Sequence, residues 1–257
     1  MTDATFEITG HRAIVWNGND ARRGALTPEF YEAIVAACKA AEDPSIRSVT
    51  ITSRGDFFCA GGDLNVLITR RNYSEVERGQ QIDILHDVIR AIQSCPVPVI
   101  AAVKGGAAGA GASIALACDF IIADEAAKLT AAYVKAGLVP DGGLTAHLAR
   151  IVPKSLAMEM CVLARPIPAS RLAATGAINA ALPLAEVEDA AAALAAHIAD
   201  GPPAAQSRIK AMVNAAYDQA MPEQLDTERD AMAWATGADE AAEGIAAFLE
   251  KRKPVFG

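Results

Sequence analysis

Two segments of this chain put runs of small residues where backbone groups, rather than side chains, would do the chemistry. In PVIAAVKGGAAGAGAS at 98–113, a β-branched run enters a loop of small residues and then the apolar stretch IALAC at 114–118. That order reads as a buried strand, a turn that lets a ligand approach the backbone, and a helix starting there. A helix N-terminus offers unpaired N–H groups and the positive end of a dipole, which suits a developing negative charge. The second segment is VTITS at 49–53 followed by FFCAGGDL at 57–64. Two such units can aim two N–H groups at one oxygen. Two side chains nearby also bear on chemistry. Asp141 in GLVPDGG at 137–143 has the type and place of a helix N-cap, for a helix beginning at Gly142. His86 in LHDVI at 85–89 fits a helix surface or the edge of a core.

The elements that must hold these loops follow from periodicity. FEI at 6–8 and AIVW at 13–16 read as strands joined by a turn at Thr9-Gly10. Thr27 caps a helix with Pro28 at its first position, running to about Ala41 before Asp43-Pro44 ends it. Strands recur at 48–53, 97–103 and 119–123, separated by helical segments around 74–93 and 110–118. Such alternation requires crossover connections and mostly parallel pairing, an α/β fold. From about residue 186 the strands stop. Helical stretches follow near 187–199, 203–219, 222–236 and 239–252, punctuated by Gly201-Pro202-Pro203, Met221-Pro222 and Gly237. The division expected is a core over 1–199 and a helical region over 200–257. Met212, Val213, Leu225, Met232, Trp234, Ile245, Phe248 and Leu249 give the latter apolar faces that it cannot bury alone, so an oligomer is expected.

Composition narrows the function classes. The 257 residues are 52% hydrophobic, enough for one large core with an appendage. A formal net charge of −8 and the lack of a dense basic cluster disfavour nucleic acid. No apolar run reaches membrane-spanning length, and the opening MTDATFEITG lacks the regions of a signal peptide. The cysteines, Cys38, Cys59, Cys95, Cys118 and Cys161, are odd in number and form no CxxC pair. Reduced buried thiols in a cytoplasmic compartment are expected, with no metal site.

Taken together, FFCAGGDL, PVIAAVKGGAAGAGASIALACDF at 98–120 and AAYVKAGLVPDGG at 131–143 resemble the crotonase (enoyl-CoA hydratase/isomerase) superfamily. KSLAMEM at 154–160 and FLEKRKPVF at 248–256 extend the likeness along the chain. The resemblance implies a spiral of repeated ββα units, with a C-terminal helical region that builds trimers or dimers of trimers. It implies an acyl-CoA thioester as substrate and no separate cofactor, since CoA is part of the substrate. It assigns an oxyanion hole to the N–H groups of Gly62 and Ala110. The two positions where hydratases carry glutamates are Ser113 and Tyr133 here, so ordinary hydration is disfavoured. Asp141 matches the base of enoyl-CoA isomerases and ring-epoxide phenylacetyl-CoA isomerases. A double-bond shift needs only one base.

The same likeness leaves two alternatives open. One is aryl-CoA dehalogenase-like chemistry, with Asp141 as nucleophile, His86 as base and Tyr133 as a neighbouring aromatic. The other is an acyl-CoA binder without turnover. For CoA, the resemblance points to the backbone of Ala60, Gly61, Asp63 and Leu64 around the adenine, with Asp63 serving to cap or orient that loop. Arg22 or Arg23, and Lys251 from a neighbouring subunit's tail, would meet the phosphates. Ile68, Tyr73 and the 65–80 stretch would shape the acyl pocket, with His147 near it.

Overall fold

The computed structural model describes residues 4–256; residues 1–3 of the opening segment, and residue 257, lie outside it. β1 (Ala4–Thr9) and β2 (Arg12–Asn17) pair antiparallel, turning at Gly10 with φ 58°. α1 (Pro28–Ala40) follows, with Thr27 Oγ1 accepting from Phe30 N and Phe30, Ile34, Ala37 and Cys38 turned into the core. Next come β3 (Ser48–Ser53), the short α2 (Leu64–Leu67) and α3 (Glu75–Ser94), the last opened by a reciprocal Ser74–Glu77 capping box. The middle of the chain holds β4 (Val99–Val103), β5 (Gly106–Ala108), α4 (Ala110–Ala117), β6 (Phe120–Asp124) and β7 (Lys128–Thr130). After these come α5 (Leu144–Ile151), α6 (Lys154–Leu163), β8 (Ile167–Pro168), α7 (Ala169–Ala174) and β9 (Ala180–Leu182). Four helices close the chain: α8 (Val187–Ala199), α9 (Pro203–Ala215), α10 (Met221–Ala235) and α11 (Asp239–Glu250).

The main sheet has the order β1-β2-β3-β4-β6-β9, and every pairing after the first is parallel. The α/β expectation holds. Because β3 and β4 run the same way, their C-terminal ends share one edge, and the 57–64 and 104–109 loops both leave from it. Open parallel sheets offer ligand crevices at that edge. A second sheet, β5-β7-β8, was not legible beforehand, since its strands are three residues or fewer and β5 is Gly-Ala-Ala. The side of the main sheet that carries Ile100, Ala102 and Ile122 is covered by Val187, Ala191, Ala195 and Ile198 of α8.

One buried ion pair ties the terminal helices to this core. Lys210 of α9 is 8% exposed; its Nζ lies 2.7 Å from Asp119 Oδ2 and donates to the carbonyls of Ile92 and Val97 at 3.0 Å each. Glu240 of α11 accepts from Ala204 N and Ala205 N, satisfying free donors at the start of α9. Outward, Val213, Met221, Leu225, Met232, Phe248 and Leu249 are exposed. Among the described residues all five cysteines are free thiols, and no helix is long and apolar enough to cross a membrane.

Candidate active site

The two small-residue loops meet backbone to backbone. Cys59 bridges Ala107 in parallel fashion, and Ala108 N donates to Cys59 O at 2.9 Å. Gly61 has φ 87°, and a Cβ there would stand 2.6 Å from the Ala108 carbonyl and 3.3 Å from Ala110 N. Only glycine tolerates both the angle and the approach. Gly109, at φ 52° and ψ −130°, precedes α4 and donates its N–H to Thr130 O at 2.9 Å. The N–H groups of Gly62 and Ala110 find no acceptor among the described residues. Thus two unpaired donors lie on loops in direct contact, one of them at the N-terminus of a helix.

Three side chains converge from separate elements, and a Cβ on Gly109, the residue before Ala110, would lie 3.9 Å from Tyr133 Cζ. Ser113 sits fully buried on α4, Tyr133 half-buried on the 3₁₀ turn Ala132–Ala136, and Asp141 half-buried before α5. The Tyr133 hydroxyl donates to Asp141 Oδ1 at 2.7 Å. Ser113 Oγ donates to the Asp141 carbonyl at 3.0 Å and lies 3.1 Å from Tyr133 Oη. Asp141 Oδ2 accepts from no group among the described residues. Asp141 is not the helix cap that its position suggested: α5 begins at Leu144 behind Gly143 (φ 73°), with no side-chain cap. Gly142 supplies the tight turn, since a Cβ there would meet Ser113 Cβ at 2.8 Å and Leu85 Cδ2 at 3.2 Å.

Burial, and then the charge of Asp141, push the Tyr133 hydroxyl well above the ordinary tyrosine value, so it stays a donor. Desolvation also raises Tyr31, with the charges of Cys59 and Asp141 adding to it and that of Arg70 opposing it. Burial lifts the Cys59 thiol to about 12, which keeps it un-ionised behind the loop. Near Gly143, burial and Arg150 lower His147, so that imidazole is neutral.

Other sequence-chosen residues fall in different places. Arg22 pairs with Asp63, whose carboxylate also accepts from Asn65 N at 2.8 Å and so caps α2, beginning at Leu64. Arg23 stacks over the Phe57 ring at 4.0 Å, and its carbonyl accepts from Ala60 N at 3.0 Å. Ala60, Gly61, Asp63 and Leu64 therefore form one loop flanked by two arginines. His86 is not joined to Asp141, Tyr133 or Ser113 by any hydrogen bond or ion pair; its Nδ1 stands 3.8 Å from Asp83 Oδ1, while the adjacent Leu85 faces Gly142. Lys251 ends α11 in a left-handed conformation (φ 56°), exposed and without a link to this site in its own chain. Tyr31 carries no sequence signal, because its place in the α1 apolar pattern reads as core, whereas Leu67, packed on Gly62, falls in the 65–80 stretch expected to shape the acyl pocket. No cluster of three or more metal-ligating side chains occurs among the described residues.

Two free backbone donors on touching loops suit the binding of a carbonyl oxygen, and the comparisons show the family. The enoyl-CoA hydratase/isomerase family model matches residues 19–257, and the chain belongs to that family, whose members act on acyl-CoA thioesters. It is 36% identical to a Rhodobacter capsulatus protein named a probable enoyl-CoA hydratase, over 98% of this chain and 96% of that protein. It is 34% identical to the 1,2-epoxyphenylacetyl-CoA isomerase of Escherichia coli, over 91% and 90%. The crystal structure of an enoyl-CoA hydratase from Polaromonas sp. JS666 superposes with a TM-score of 0.95 at 40% identity, covering 99% of each chain. The relatives are mostly named hydratases.

Proposed function

We propose that this enzyme isomerises an enoyl-CoA by a 1,3-proton shift, with Asp141 as the single acid–base group. The thioester oxygen is held by the Gly62 and Ala110 N–H groups, which stabilise the enolate formed as the proton leaves C2. Asp141 takes that proton on Oδ2 and returns it at C4, breaking one C–H bond and forming the other. Tyr133 holds Oδ1 and so fixes which oxygen reacts. The observation that carries this reading is the half-buried carboxylate with one oxygen engaged and the other open, with serine and tyrosine where a hydratase needs carboxylates. Dehalogenase-like chemistry would need His86 at the reacting carbon, and its nearest carboxylate is Asp83.

The exposed apolar side chains of α9 to α11 favour self-association; the family resemblance implies a homotrimer or a dimer of trimers, which would bring Lys251 to a neighbouring subunit's CoA. Free thiols suit a reducing, cytoplasmic setting. Assays with 3-enoyl-CoA thioesters, following the double bond by absorbance and proton NMR, test the reaction. Conversion to the conjugated 2-enoyl product is expected. No shift with any chain length, beside efficient hydration of 2-enoyl-CoA, would overturn it.

A further inference from the structure

α4 is built of alanine, glycine and aliphatic residues except at one place, Ser113. A hydroxyl on a helix buried along its whole length is unfavourable unless it is hydrogen-bonded, and this one reaches two other elements. Its Oγ donates to the Asp141 carbonyl at 3.0 Å, lies 3.1 Å from Tyr133 Oη and stands 3.5 Å from the Gly109 carbonyl at the start of its own helix. Ser113 N donates to that same Gly109 carbonyl at 3.2 Å. One residue therefore links the turn that presents the Ala110 N–H, the tyrosine that holds Asp141 Oδ1, and the backbone of Asp141 itself.

Asp141 has little else to fix its place. Residues 138–141 form no helix or strand, and α5 starts only at Leu144. Gly142 turns beside it at φ 58°, with Ser113 Cβ 2.8 Å from where a Cβ would stand, so this turn lies directly on Ser113. The Asp141 carbonyl also accepts from Leu144 N at 3.2 Å. Deleting the serine hydroxyl thus removes the tether to α4 and still leaves that carbonyl paired.

A 1,3-shift makes a demand that deprotonation alone does not. The C2–H bond breaks, its electron pair enters the dienolate, and the proton rests on Oδ2. The C4–H bond then forms with that proton, so one oxygen must serve two carbons while the thioester oxygen stays on its donors. A carboxylate free to drift against the Ala110 N–H can meet the first carbon and miss the second. A misplacement of about 1 Å costs about 10²-fold in rate.

We propose that Ser113 is a positioning residue, which fixes Asp141 relative to the Ala110 N–H so that Oδ2 reaches C4 as well as C2. This role rests on the single-base reading above and deepens it.

The test follows a 3-enoyl-CoA in deuterium oxide by proton NMR, with the full-length protein. Product formation reports delivery to C4, and deuterium gained at C2 of unreacted substrate reports removal of the first proton. Ser113→Ala should lower kcat for the shift about ten- to a hundredfold, with KM and the rate of C2 exchange within about twofold of wild type. The ratio of C2 exchange to product should rise by the same ten- to hundredfold factor, about as far as the shift slows. Ser113→Cys, which keeps a weaker donor, should fall between the two and serves if the alanine variant fails to fold. Exchange and shift that decline together would overturn the role, because the residue would then support the fold or the first step alone. So would an alanine variant with wild-type kcat and an unchanged ratio. A wild-type protein that neither exchanges C2 nor moves the double bond removes the single-base reading itself.

Discussion

Tyr133 donates its hydroxyl proton to Asp141 Oδ1 across 2.7 Å, eight residues away in sequence, and this bond rather than a helix cap sets the orientation of the carboxylate. Asparagine at 141 keeps an acceptor for Tyr133 but cannot take a proton from carbon. Asp141→Asn should fold with an unchanged circular dichroism spectrum and CoA affinity. Its kcat for the double-bond shift should fall about 10²- to 10⁴-fold, the range for general acid–base groups. Turnover at the wild-type rate would remove Asp141 from the reaction.

Ser113 and Tyr133 bond to Asp141 and to each other, and neither is a carboxylate able to activate a water. Crotonyl-CoA hydration should therefore be far slower than about 10 s⁻¹, a common enzyme turnover. Loss of the ultraviolet absorbance of the conjugated enoyl thioester is the readout, and hydration at ordinary rates would mean that a second acid–base group exists.

Gly61 makes the contact between the two donor loops possible. Gly61→Ala adds a Cβ 2.6 Å from the Ala108 carbonyl in a conformation of φ 87°, so the loops must separate. We expect a loss of about 1 to 3 kcal/mol in stability from backbone strain and a fall in kcat of at least about tenfold as a donor moves off the thioester oxygen. Gly176→Ala is the control: φ is 77° with nothing within 4 Å, so it should show strain in the melting temperature and full activity.

Stability should fall on the alkaline side. Tyr31 and Tyr133 are both raised above the ordinary value of 10 by burial, so the unfolded chain gives up these protons first. Their contribution is fully present below pH 10 and is lost as the pH rises above it, at up to about 1.4 kcal/mol per pH unit for each group. Thermal melts across the range from pH 8 to 11 should show the drop begin near 10, and Tyr133→Phe should make it shallower. Melting curves of the two proteins that fall in parallel would contradict this.

Lys210 holds Asp119 in a buried pair in which desolvation raises the carboxyl and the ammonium opposes that rise. Lys210→Met leaves Asp119 without its counter-charge, held only by the Val99 N–H at 2.7 Å, and should cost about 3 to 5 kcal/mol in chemical denaturation. Adding Asp119→Asn should recover part of the loss. A single variant as stable as wild type would show that the pair does not anchor α9.

Local pattern alone was enough for most of the elements and for the two loops. β-branched runs gave the long parallel strands, Thr27-Pro28 gave the start of α1, and the small residues at 59–62 and 105–111 marked where backbone must come close. Those features are local, because a strand, a cap or a positive φ depends on a few adjacent residues. The sheet of β5, β7 and β8 was invisible, since strands of two or three residues (Gly-Ala-Ala, Lys-Leu-Thr and Ile-Pro) are too short to carry a period. Asp141 was legible as a carboxylate in the right stretch, yet its partner was not: capping and catalysis look alike before Gly143 in one dimension. Only the packed chain decides that α5 starts after two left-handed glycines, turning Asp141 toward Tyr133 and Ser113. The same holds for His86 and Leu85, neighbours on α3: about 100° of helical rotation separates them, and the packing of α3 against α4 determines that leucine, not histidine, faces the site.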